Sequence, residues 1–160
     1  MALRLAKASL VAGVALFFTL VVFNNLTDYA SNHQFVRHVL SMDTTFPGNR
    51  GMWRAIDSPA LQTVFYWSII AWETLAMVLC WWGAIGLLAA QEADVVAGAR
   101  GTAIAGLSAG LLLWLVAFLD VGGEWFLLWQ STTWNGQAAA FRMFAVEGIV
   151  LLILLAPAEP

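Results

Sequence analysis

The sequence predicts an all-α polytopic membrane protein. Its expected architecture is a bundle of four transmembrane helices, with short interfacial helices in the connections on one side. Three observations carry this. Of 160 residues, 61% are hydrophobic and only 11% are charged, where soluble domains carry roughly a quarter. A chain this short could not bury so much apolar surface in a core of its own. The apolar residues also fall in four long runs, so lipid is the solvent for most of the chain. Residues 1–160 read as one transmembrane domain.

The first run, residues 5–23, follows Arg4 and Lys7 and has the outline of a signal peptide. It is longer than a typical signal h-region, and Asn24-Asn25 follows without a small-x-small cleavage pattern. It reads as an uncleaved first spanning helix. The second run, residues 61–90, contains one charge, Glu73. Ser58-Pro59 offers an N-cap with proline at the first helical position. The run exceeds the roughly 20 residues that a span needs, so tilt or a projecting end is expected. The third, residues 102–119, is free of charge, and its Gly106-x-x-x-Gly110 permits close helix contact. The fourth, residues 138–156, carries Arg142 near its start and Glu147 within it.

The connections are unequal. Residues 24–60 and 120–137 form a polar cap on one side; both termini and the short stretch 91–101 lie on the other. Within the first connection, Phe35, Val36, Val39 and Leu40 share a helical face, with Arg37, His38 and Ser41 turned away. That pattern predicts an amphipathic helix over residues 32–42, lying on the membrane or capping the bundle. Phe46-Pro47-Gly48-Asn49 is a turn signal, and residues 51–56 allow one further helical turn. In the third connection Gly122-Gly123 is expected to break the helix, with one or two turns over residues 124–130. Arg4, Lys7 and Arg100 lie on the terminal side; Arg37, Arg50, Arg54 and Arg142 lie on the other. The short basic N-terminal tail places both termini in the cytoplasm.

The net charge is −3, with seven Lys/Arg in all and no basic run. This excludes nucleic acid as a partner and gives no polybasic lipid-binding segment. Cys80 is the one cysteine, so no intrachain disulfide forms, and it reads as a small packed hydrophobe. Of nine tryptophans, Trp53, Trp67, Trp81, Trp82, Trp125, Trp129 and Trp134 fall where helices should meet headgroups, as an aromatic belt. A ring-stacking site for a quinone or pigment is the sharper alternative.

The first candidate site is intramembrane. Glu73 follows Val64, and Glu147 follows Ala138, by about 14 Å of helix. Both helices enter from the cap, so the two carboxyl groups are expected near the midplane at matching depth. An ionised carboxylate in hydrocarbon costs about 3 kcal/mol or more, so each should face the bundle interior. There it is protonated or paired with a cation such as Arg142 or Arg54. The bland reading is a hydrogen-bonded pair that fixes packing; the functional one is a proton or cation path.

The second candidate site is on the cap: Asp28, His33, His38, Asp43, Asp120, Glu124 and Trp125. His33 and His38 do not share a helical face, and no H-x-x-x-H, cysteine pair or membrane-embedded Glu-x-x-His is present. No metal and no cofactor are predicted. Gly-rich phosphate loops, G-x-S-x-G and H-E-x-x-H are likewise missing, which removes the usual grounds for proposing an enzyme.

Specific strings run through the cap segments. They include Asn24-Asn25-Leu-Thr-Asp28-Tyr29, Ser31-Asn32 and His38-Val-Leu-Ser-Met-Asp43-Thr-Thr-Phe-Pro47. Met52-Trp53-Arg54-Ala-Ile, Ser58-Pro59-Ala60-Leu61 and Gly122-Gly123-Glu124-Trp125-Phe126 follow. Trp129-Gln130-Ser131, Trp134-Asn135-Gly136-Gln137 and Ala140-Phe141-Arg142 complete the set. In these strings, and over essentially its whole length, the chain resembles a bacterial family of predicted small integral membrane proteins, a domain of unknown function. The resemblance implies a four-helix protein of the bacterial cytoplasmic membrane, with no assigned activity and no catalytic residue to transfer.

Three functions compete. The first is a non-enzymatic accessory or assembly subunit, whose partners are the lipid bilayer and other membrane subunits or a second copy of the chain. The second is a small proton- or cation-coupled transporter, channel or sensor using Glu73 and Glu147. The third is a metal- or cofactor-binding protein using the cap His and carboxylates.

Overall fold

A computed structural model describes residues 2–157. No strand occurs among the described residues, and four helices are long and apolar enough to cross a membrane. Helix α1 spans Ala2–Thr27, α2 Tyr29–Ser41, α3 Pro59–Ala89, α4 Ala93–Leu112 and α5 Gln137–Leu155. Single 3-10 turns form at Met52–Arg54 and Leu128–Gln130.

Packing follows small residues at helical spacing. Between helices in lipid the hydrophobic effect gives little drive, so close van der Waals contact must supply it. On α1 the buried stripe is Ala8, Val11, Ala15 and Phe18. On α3 it runs Gln62, Tyr66, Ile70, Glu73, Ala76, Cys80, Gly83 and Leu87. On α4 it is Ala103, Gly106, Leu107 and Gly110, and on α5 Ala140, Glu147, Val150 and Leu154. Helix α3 packs between α1 and α4, and α5 packs on α4 and its continuation. A Cβ added at Gly83 would stand 2.6 Å from the Ala103 backbone, and one at Gly106 would stand 2.7 Å from the Cys80 nitrogen. The Gly106/Gly110 pattern is therefore a packing surface.

The third spanning helix differs from expectation at both ends. It starts at Ala93, ahead of the apolar run, with Asp94 in its first turn, leaving only a short link after α3. At its other end it does not break at Gly122-Gly123. From Leu113 to Trp125 it continues as a π-helix, closed by Phe126 N–H donating to the Val121 carbonyl at 2.9 Å. Both glycines are buried inside this stretch, and Gly123 faces the Gln137 amide closely enough that a Cβ would collide with it. They serve close packing against the start of α5 rather than chain reversal. The wider π winding is mostly a single-turn device in other helices.

The cap forms from the first and third connections. The amphipathic helix is present as α2, three residues longer at its start than expected, with Val36 and Leu40 buried. Met42 closes α2 in the left-handed conformation (φ 54°). Glycine is usual there, but the Met42 side chain is buried among Tyr66, Ile70 and Phe126. The turn at Phe46–Asn49 forms, with Gly48 at φ 78°. Ser58 caps α3, accepting from Leu61 N–H, with Pro59 in the first turn. The two connections are tied by Thr44 Oγ1 donating to Ser131 Oγ (2.8 Å) and Phe46 N–H donating to Gln130 Oε1 (3.0 Å).

Candidate functional site

Glu73 and Glu147 lie on the packing stripes of α3 and α5, so both point inward, 2% and 0% exposed. Each has its own partner. Asn25 Nδ2 donates to Glu73 Oε2 at 2.7 Å. Trp114 Nε1, in the π-helical stretch, donates to Glu147 Oε1 at 2.7 Å. The second oxygen of Glu147 is buried with no hydrogen-bond partner. It presses on Gly110, where a Cβ would overlap it and would also meet Phe18.

Two parts of the sequence reading need correction here. First, neither Arg142 nor Arg54 pairs with a glutamate. Arg142 lies on the outer face of α5, exposed. Arg54 sits on the cap, its guanidinium 5.9 Å from the Trp53 ring and 5.5 Å from the Trp125 ring, donating to the Glu124 carbonyl. The helical phase that turns Glu147 inward turns Arg142 out. Among the described residues the one acid–base side-chain contact is His38–Asp43, on the cap. Second, the carboxyl groups are not level. Glu73 meets Asn25, whereas Glu147 lies by Gly110 and Phe18. Along α1 and α4 this sets Glu147 roughly 5–10 Å closer to the terminal face. The first turn of α3 belongs to the cap, where Gln62 Nε2 donates to the Ile56 carbonyl, so residue counts from the start of that run overstate depth.

Above Glu73 a ladder of polar and aromatic groups reaches the cap surface. Tyr66 O–H donates to the Asn25 carbonyl at 2.7 Å. His33 stands edge-on to Tyr66 (5.4 Å between ring centroids), stacks on Tyr29, and lies 3.3 Å from Thr63 Oγ1. Tyr29 and His33 line an open cleft of about 600 Å³, together with Arg37, Asp43 and Asp57.

Essentially the whole described chain matches one family model. The chain belongs to the family of predicted small integral membrane proteins (DUF2165). The match covers residues 3–157. Neither the curated proteins nor the solved structures give a match.

In this family member the cap residues do not converge as one site. His38 Nδ1 lies 2.7 Å from Asp43 Oδ2, Nε2 lies 3.2 Å from Gln34 Oε1, and its ring stacks on Trp134 at 4.6 Å. Asp28, Asp120 and Glu124 are exposed and apart. Glu124 and Trp125 meet Arg54, through the Glu124 carbonyl and the Trp125 ring. No group of three or more His, Cys, Asp or Glu side chains converges among the described residues. His33 alone joins the intramembrane site, through Tyr66. Residue types missed from sequence are Asn25, Tyr66 and Trp114. A signal was present for Asn25, a polar residue at the end of an apolar run.

Proposed function

We propose that the chain is a small proton-binding membrane protein, of the proton-coupled transporter, channel or sensor class. Glu147 and Glu73 take up and release protons in series, with Glu73 lying beneath the cap cleft along the wall that His33, Tyr66 and Asn25 form. The observation that carries this reading is Glu147: fully buried, held by one donor, its second oxygen unpartnered, with no cation against it. A proton is the smallest cation that can occupy such a place, and intramembrane carboxyls of this kind mark proton relays and ion pathways. The offset between the two carboxyl groups, and the ladder from Glu73 to a polar cleft, fit a stepwise path better than a shared cation cage.

The accessory-subunit reading rests on size and on exposed aromatic residues such as Trp53, which membrane-interface contacts explain equally well. We further infer a bacterial cytoplasmic membrane, from the family resemblance, and cytoplasmic termini, from the short basic N-terminal tail that carries Arg4 and Lys7.

The test is proton uptake after a pH jump, followed with an indicator dye on the purified chain. Wild type should bind protons that the folded Glu73→Gln/Glu147→Gln double variant does not. Equal uptake by both would end the proposal.

A further inference from the structure

Lysine and arginine are scattered through the sequence, but folding brings three of them together. Arg4 Nη1 donates to the Ala90 carbonyl at the end of α3 (2.8 Å). Lys7 Nζ donates to the carbonyls of Leu154 and Ala156 at the end of α5. Arg100 Nε and Nη2 donate to Leu154 and Leu155 carbonyls at 3.2 and 2.8 Å. These bonds satisfy orphan carbonyls at two helix C-termini. They also hold all three cations in fixed positions around a cleft of about 290 Å³, whose apolar walls are Leu87, Val96 and Leu154.

We propose that this cleft binds one anionic phospholipid, its phosphate on Arg4, Lys7 and Arg100 and the start of an acyl chain against the leucine and valine walls. Carbonyls orient the cations without neutralising them. Among the described residues no acidic group pairs with them, since the one acid–base contact, His38–Asp43, lies on the opposite face. Donors also remain. Arginine presents five N–H groups and lysine three, and the carbonyls engage one on Arg4, two on Lys7 and two on Arg100. The cleft opens between the ends of spanning helices, the depth at which headgroups lie and where basic pockets hold phospholipid phosphates. Its apolar walls fit a lipid rather than a soluble anion. A second property follows: the bound lipid would bridge α1, α4 and α5 at the face where α5 makes few contacts with α1.

The experiment is native mass spectrometry of the full chain in neutral detergent, doped with phosphatidylglycerol or phosphatidylcholine. Wild type should retain phosphatidylglycerol well over phosphatidylcholine. Arg4→Gln, Lys7→Gln and Arg100→Gln should each lower that retention about fivefold, the effect of one basic group near a headgroup. Glutamine removes the charge while keeping a polar side chain with N–H donors. Should one single variant fail to fold, the other two and the wild-type preference decide. Equal retention of both lipids, or undiminished retention in the variants, would overturn the proposal. So would displacement by lipid-free glycerophosphoglycerol at the same concentration, which would indicate a soluble-anion site. Binding seen only after deletion of residues 158–160 would assign the cleft to the chain's own C-terminus and would also overturn it.

Discussion

Glu147 sets the residue-scale problem: a carboxyl group with Trp114 on one oxygen and nothing on the other, pressed against Gly110. If its role were to fix packing, an apolar side chain of similar volume would do worse. If its role is to bind a proton, the site carries a stability penalty that an apolar side chain removes, since buried ionic groups are often replaced without loss. Glu147→Met should therefore leave the unfolding midpoint in mixed micelles unchanged or raised. A loss of more than about 2 kcal/mol would make the carboxyl structural. Removing the donor instead of the acid has the opposite expectation. Trp114→Phe strips Glu147 of its one partner, and Asn25→Ala does the same to Glu73. Each should destabilise by about 1–3 kcal/mol in the same assay. The inward direction of both acids was legible, because an ionised carboxylate facing hydrocarbon is costly. Their partners were not: Asn25 and Trp114 come from other helices, and sequence alone does not fix which faces meet.

At the scale of elements, close approach between α3 and α4 depends on individual glycines, and their neighbours differ sharply. A side chain at Gly83 would run into the Ala103 backbone, which cannot yield, whereas Gly101 has nothing within 4 Å. Gly83→Val should destabilise by about 1–3 kcal/mol or more through overpacking. Gly101→Ala should be neutral or stabilise by up to about 1 kcal/mol through helix propensity. Reversed signs in a detergent unfolding series would mean that α3 and α4 do not pack this way. The Gly106/Gly110 pair was readable from its spacing. Gly83 was not, because its α3 stripe is defined only by what faces it. Helix α2, the turn at Gly48 and the Ser58-Pro59 cap were readable from local chemistry alone. The π-helical stretch was hidden, since no local residue pattern in Leu113–Trp125 marks that winding.

For the whole molecule, the cations at the helix ends report the topology. Arg4 reaches α3, and Arg100 and Lys7 reach α5, so the start of α1 and the ends of α3 and α5 share one face. The cap occupies the other. In a Cys80→Ala background, Gln91→Cys and Asn135→Cys should label from opposite sides of sealed vesicles. Labelling of both from one side would contradict four crossings. This arrangement was legible from run lengths and connection lengths. The expected cap site was not sustained, because the cap side chains spread over separate contacts and only His33 connects inward. Proton binding by Glu147 and Glu73 is read most directly in the carboxylic-acid C=O region of the difference infrared spectrum, recorded as pH is stepped across the range in which the protein stays folded. If the two carboxyl groups bind protons, a protonated-carboxyl band is missing in Glu147→Gln and shifted in Trp114→Phe, with a second band missing in Glu73→Gln. Identical difference spectra for wild type and the folded double variant would contradict it.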